Sequence, residues 1–293
     1  MNPLSDSTHL RFDRATWKTA DFLRGSAAPV ARPYTLPASI DGFEADEIEA
    51  IFIPLCDLIQ ARVSARDALA VSTFDAAGAE RRQAPFVVGV TGSVAVGKSA
   101  IASLLEGLLT SAGDAAAKAI STDAFILPNA ELERRGLMGR KGFPETYDTA
   151  RLADFLEQVK SGVDVVEIPV YSHTLYDIVP GERQSVAIPE ILIVEGVTVL
   201  QKAEHAPSIS DNLDFSIYVD ATIEDIKRWY LDRSELDRAD QLAGVREHDA
   251  ATTWEKINVP NLVQNIEPTK QRADLILSKA SNHRIRELFL RVE

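Results

Sequence analysis

The chain predicts an α/β fold, a mostly parallel sheet with helices on both faces, and three observations carry that expectation. Short, largely apolar runs at residues 86–90, 117–121, 191–194, 215–219 and 273–277 are separated by longer stretches with helical character. These runs read as strands buried on both faces, as in sheets whose crossovers lay helices over them. The glycine-containing octapeptide Gly92-Ser93-Val94-Ala95-Val96-Gly97-Lys98-Ser99 lies between the first run and the helical stretch 100–109.

Taken in order, residues 1–40 are mostly polar, with a Pro/Ala-rich stretch at 27–37, and are expected to wrap the surface irregularly around one short helix. Between 44 and 69, Ile48, Ile51, Phe52, Leu55, Leu58, Ile59 and Val63 recur at helical spacing, predicting an amphipathic helix packed on the main body. Residues 1–84 therefore read as an N-terminal extension on a core of residues 85–293, the whole forming one globular domain. The strand at 86–90 leads into the octapeptide, whose glycines let the backbone fold around phosphates with its N–H groups pointing inward. Lys98 can reach the β and γ oxygens, and Ser99 offers a hydroxyl to Mg²⁺. The fold expected is thus of the P-loop NTPase type. Ligands of such sheets gather at the carboxyl ends of the strands, where Asp123 follows the second run and Glu195 the third. A carboxylate there can serve the metal or the attacking hydroxyl. Residues 223–236 form a further helix carrying Trp229 and Tyr230.

Bulk composition narrows the partners. With 31 basic against 44 acidic residues the net charge is -13, which repels polyphosphate backbones and argues against nucleic acid. Cys56 is the one cysteine, excluding an internal disulfide and any cysteine-built metal site. No stretch has the length to span a bilayer, and residues 1–25 lack a signal-type apolar run, so a soluble cytoplasmic protein is expected.

Larger motifs add a resemblance. Residues 121–129 (Ser-Thr-Asp-Ala-Phe-Ile-Leu-Pro-Asn), Arg135-Gly136-Leu137-Met138, 141–148 (Lys-Gly-Phe-Pro-Glu-Thr-Tyr-Asp), Pro169-Val170-Tyr171-Ser172-His173, Tyr176-Asp177, Glu195-Gly196, 214–220, Ile257-Asn258, Gln264-Asn265-Ile266 and 275–279 together resemble the bacterial type I pantothenate kinases over residues 85–290. The resemblance implies an ATP-dependent, magnesium-requiring enzyme that phosphorylates the primary hydroxyl of pantothenate, the first step towards coenzyme A, and a homodimer. It puts Asp123 at the catalytic carboxylate, Lys98 and Ser99 at the phosphate and magnesium positions, and Arg233 near the transferred phosphate. Tyr171, His173, Tyr176, Tyr230 and Asn258 fall where the acid substrate or the pantetheine arm would lie.

The residues suit phosphoryl transfer on their own terms, since that reaction needs an oriented hydroxyl, a metal and cations around the γ-phosphate. Asp123 is favoured as base, with Ser99 and Glu195 on the metal, although sequence leaves the two carboxylates interchangeable. Tyr230 is equally readable as a packing residue and Asn258 as a turn residue. Four departures from the family pattern stand out. Ser234 and Asp237 replace pocket aromatics, and the segment 235–253 is shortened and contains no Phe, Trp or Tyr. Ser103 replaces an arginine associated with coenzyme A phosphate, and Ala124 replaces a glycine. Two alternatives follow: a kinase of the same fold acting on another small hydroxy acid, sugar or nucleoside, and a nucleotide-binding regulator without acceptor chemistry. Asp123 argues against the second, because a switch needs no base for a hydroxyl.

Overall fold

A computed structural model describes residues 8–24, 34, 42–78, 84–112, 116–202, 209–240 and 249–292, the side chains of 237–240 excepted. Most of the segment 27–37, Asp237 and the stretch 241–248 lie outside what is described. A seven-stranded sheet runs in the order β1-β9-β8-β7-β2-β6-β3. Its strands are β1 (His9–Asp13), β2 (Phe86–Gly92), β3 (Ala117–Ser121), β6 (Ile191–Glu195), β7 (Phe215–Asp220), β8 (Leu275–Lys279) and β9 (Ile285–Arg291). β4 (Val165–Ser172) and β5 (Asp177–Ala187) form a separate antiparallel ribbon. β3, β6, β2, β7 and β8 are mutually parallel, so the expected α/β sheet is present.

The apolar runs owe their lack of alternation to cover on both faces. In β2, Phe86, Val88 and Val90 enter one core cluster while Val87 enters the other, and in β6 Ile191 and Ile193 oppose Leu192 and Val194 in the same way. The helices α1 (Arg14–Lys18), α3 (Ile53–Ala77) and α4 (Lys98–Ser111) supply the first cluster with Trp17, Leu55, Ile59, Ile101 and Leu105, and the one-turn α2 (Ala45–Glu47) leads into a π turn before α3. After the short α5 (Asn129–Arg134), α6 (Thr149–Lys160) closes the second cluster with Leu152, Phe155, Leu156 and Val159. α7 (Ile223–Asp240) follows β7. No helix among the described residues is long and apolar enough to cross a membrane.

Several sequence expectations need correction. The N-terminal segment is not purely irregular: His9–Asp13 pairs antiparallel with β9, and Asp13 then caps α1 through a reciprocal capping box with Thr16. Trp17, fully buried, anchors this entry by donating from Nε1 to the Ile51 carbonyl at 3.0 Å. The helix expected at 44–69 reaches Ala77 and is broken near its start by a π turn at Ile48–Phe52, where Pro54 follows at the head of α3. The strand expected at 273–277 begins two residues later. Asp274 instead lends its carboxylate to the backbone N–H of Ser216, at 2.8 Å, and so stitches β8 to β7 from below.

Candidate active site

β2 is the middle of the parallel set, with β6 on one side and β7 on the other, and the octapeptide leaves its carboxyl end to start α4. The connection out of β2 leads towards β3 and the one out of β7 towards β8, in opposite directions along the sheet, which opens a crevice at the carboxyl ends of these two neighbours. Gly92 has φ 142°, and a Cβ there would stand 2.4 Å from the Val219 carbonyl oxygen, so only glycine lets the loop leave β2 beside β7. Ala95 and Gly97 also have positive φ, 59° and 94°, giving the loop between Ser93 and Lys98 its curl. Val94 packs at the margin of the core and Val96 is fully buried, fixing the loop from beneath.

Four predicted residues meet at the loop. Ser99 Oγ donates to Glu195 Oε1 at 3.0 Å, joining the start of α4 to the end of β6. A hydroxyl beside a carboxylate is an oxygen donor pair suited to a hard divalent cation. Lys98 folds its ammonium onto the Ser93 carbonyl at 2.7 Å. Burial lowers the Lys98 pKa, the charges of Glu195 and Asp123 oppose that fall, and Arg233 adds to it. All three charged groups therefore lie within electrostatic reach of the loop lysine. Asp123 sits in a 3-10 turn, Thr122–Phe125, directly after β3, with its N–H held by Ser121 Oγ at 3.2 Å. Parallel pairing puts Ser121 opposite Glu195, which is why two acids distant in sequence face one crevice.

The residues expected on the acceptor side come from the ribbon and two excursions of the chain. Tyr171 ends the ribbon's first strand and meets His173 edge-on, with ring centroids 5.2 Å apart. Tyr176 turns the ribbon with φ 51°. Partial burial raises its phenol pKa, and the charges of Tyr230 and Asp123 add to the rise. Burial likewise raises the Tyr171 phenol, helped by Tyr176 and Asp123. Tyr171 and Tyr176 thus lie within electrostatic reach of Asp123, and Tyr230 within reach of Tyr176. Asn258 stands on the helical run Trp254–Asn258, and its Nδ2 is shielded from solvent without a hydrogen-bond partner. The following Asn261 ties that run to the 141–148 loop by donating to the Gly142 carbonyl at 2.7 Å.

Three further residues carry no individual signal in the sequence. Lys141, only 5% exposed, donates to Asn129 Oδ1 at 2.7 Å and to the Tyr176 carbonyl, and its ammonium lies 3.9 Å from the Tyr176 ring centroid. Tyr147 is 7% exposed and donates from its hydroxyl to Asp123 Oδ1 at 3.4 Å. Trp254, buried, sets its ring 5.7 Å from Tyr230, just beyond the segment that has no aromatic residue. Ser234 turns its hydroxyl back onto the Tyr230 carbonyl at 2.8 Å, inside its own helix. Ser103 lies exposed on α4 and Ala124 is buried.

The phosphoribulokinase/uridine kinase family model matches residues 87–286. Among curated relatives, the pantothenate kinase of Rhodococcus opacus (strain B4) is 43% identical, with 97% of each chain covered. That of Mycolicibacterium smegmatis (strain ATCC 700084 / mc(2)155) is 42% identical, covering 99% of this chain and 98% of its own. Among solved structures, D-glycerate 3-kinase from Cryptococcus neoformans var. grubii superposes with TM-score 0.62 at 16% identity, over 80% of this chain and 97% of that one. Phosphoribulokinase from Rhodobacter spheroides superposes with TM-score 0.50 at 19% identity, over 68% and 71%. The two structures speak to the fold, whereas the relatives match across nearly their full length. The chain belongs to the phosphoribulokinase/uridine kinase family and, within it, to the pantothenate kinases.

Proposed function

We propose that the protein transfers the γ-phosphoryl group of ATP to the primary hydroxyl of pantothenate, giving 4'-phosphopantothenate and ADP on the way to coenzyme A. The observation that carries this reading is end-to-end identity of 41–43% with pantothenate kinases, joined to a crevice where Lys98, Ser99, Glu195 and Asp123 converge. The loop N–H groups and Lys98 hold the triphosphate, and Arg233 faces charge developing on the transferred group. An arginine so used is worth about 4–7 kcal/mol in related nucleotide hydrolases. Asp123 accepts the proton of the acceptor hydroxyl as its oxygen bonds to phosphorus. Ser99 and Glu195 are the groups to hold Mg²⁺, which when bound neutralises charge on the phosphates.

Lys141 is the cation for the acceptor's carboxylate, and Tyr171, His173, Tyr176, Tyr230 and Asn258 enclose its polar arm. Ring contact between Trp254 and Tyr230 supports an acceptor with an apolar portion. We read the enzyme as a cytoplasmic homodimer, and sedimentation at micromolar concentration tests the assembly. Because Ser103 offers no cation, inhibition by coenzyme A is expected to be weak. The decisive experiment incubates the protein with ATP, magnesium and a panel of alcohols including pantothenate, D-glycerate, fructose and uridine. Fast turnover of another member beside idle pantothenate removes the proposed acceptor. Asp123→Asn should keep ATP affinity and lose transfer.

A further inference from the structure

We infer that Tyr147 is a positioning residue for Asp123: its hydroxyl pins one carboxylate oxygen so that the other is presented to the acceptor's proton. The inference rests on the phosphotransfer reading above. Three observations lead to it. Among the described residues, Tyr147 is the donor seen on the Asp123 side chain, through Oδ1, and Oδ2 is left without one. The pairing is built into the backbone, because Tyr147 bridges Ile126 antiparallel while Leu127 N–H donates to the Thr146 carbonyl and Asp148 N–H to the Phe125 carbonyl, each at 2.8 Å. The turn bearing Asp123 and the loop bearing Tyr147 therefore move as one body. Finally, burial raises the Tyr147 phenol pKa well above its usual value, and Asp123, Glu195, Tyr171 and Tyr176 all push the same way. Ringed by acids, the phenol stays protonated and remains a donor at every working pH.

The hydrogen bond is long at 3.4 Å, as such contacts often are before substrate closes a site. In the step served, the acceptor oxygen forms its bond to γ-phosphorus, the bond from phosphorus to the β-γ bridging oxygen breaks, ADP departs, and the hydroxyl proton passes to Asp123 Oδ2. Tyr147 keeps its own proton throughout. A carboxylate free to rotate would spend part of its time with neither oxygen aimed at that proton, so loss of the pin lowers kcat rather than ATP binding.

Tyr147→Phe removes the hydroxyl and keeps the ring. We expect kcat to fall about 10–100-fold, part of the usual worth of a general base, with KM for ATP little changed. KM for the acceptor should change far less than kcat, because the phenol acts on the proton-accepting group rather than on binding. A second variant carries 4-aminophenylalanine at position 147, which keeps a donor at the same place, and should restore kcat to within about threefold of the parent. Each assay uses whichever alcohol the unaltered protein phosphorylates fastest. Idle pantothenate then overturns only the proposed acceptor. A Tyr147→Phe protein with kcat within about twofold of the parent overturns the positioning role. Should Tyr147→Phe fold poorly, a 4-aminophenylalanine protein that unfolds at the parent's temperature yet loses kcat more than about tenfold overturns it equally.

Discussion

Replacing Gly196 by alanine should damage the site through two strand ends at once. Gly196 follows Glu195 at the close of β6 and donates its N–H to the Val90 carbonyl at 3.0 Å. A Cβ there would lie 1.8 Å from Thr122 Oγ1, 2.8 Å from Thr122 Cβ and 3.0 Å from Thr122 Cγ2. Rotation of the threonine can take its oxygen away, but its Cβ is bonded directly to the backbone of a fully buried residue and does not move with that rotation. Reaching ordinary van der Waals contact from 2.8 Å requires the ends of β3 and β6 to part by about 0.6 Å. Those ends carry Asp123 and Glu195. Overpacking of this kind costs about 2–3 kcal/mol, and a shift approaching an ångström at reacting groups costs about 10–100-fold in kcat. Urea unfolding at unchanged m reads the first quantity and steady-state transfer the second. Adding Thr122→Ala relieves two of the three contacts, so the double variant should recover about 1 kcal/mol beyond additivity. Loss below about 0.5 kcal/mol with kcat intact would show that the strand ends yield freely, and the steric reasoning would be wrong.

Three further outcomes follow from the same geometry. Because burial lowers the Lys98 pKa, its ammonium is lost at lower pH than that of a free lysine. The alkaline limb of kcat/KM for ATP should therefore fall below the ordinary lysine range, while bound phosphates favour the ammonium and move the limb of kcat higher, as pH profiles of the two constants will show. Lys141→Met should raise KM for an acidic acceptor about 10–100-fold, the worth of a charge-assisted hydrogen bond, and leave KM for ATP unchanged; a neutral acceptor would be indifferent to it. Asp214 accepts the Val87 N–H at 2.7 Å and pairs with Lys160, with Arg66 3.6 Å away. Asp214→Ala should cost about 2 kcal/mol, since two cations are left facing each other in a partly buried place, and thermal unfolding should register that loss with kcat preserved.

The phosphate half of the site was legible because its constraints are local. Gly92 and Gly97 answer to the backbone angles of one loop, and Lys98 and Ser99 follow from the helix that the loop starts. Asp123 and Glu195 were legible for a different reason: each closes a buried apolar run, and a parallel sheet delivers the ends of such runs to one edge. The pattern fails where strands are exposed. β1 is a five-residue edge strand in which Leu10, Arg11 and Asp13 are exposed, and β9 mixes Arg286, Glu287 and Arg291 with buried Ile285, Leu288 and Phe289 without strict alternation, so both read like loop. Trp17, the buried anchor of that edge, was hidden in the same polar segment.

Acceptor-side residues were less legible because no single element makes their environment. Lys141 is surface-like in composition, and its burial exists only once the ribbon turn at Tyr176 and the head of α5 at Asn129 close over it. Tyr147 reaches Asp123 only after the intervening chain doubles back to the Ile126 bridge. The two halves therefore answer to different physics. Lys98, Ser99, Asp123 and Glu195 stand at or just beyond the ends of strands of one sheet, whose interior tolerates little change, whereas Lys141, Tyr171, Tyr176, Tyr230 and Trp254 come from a ribbon, a loop and helices outside it. The Ser99–Glu195 and Tyr147–Asp123 contacts draw on no residue after Ser234, so a substitution there should show in the choice of alcohol from the acceptor panel before it shows in those two contacts.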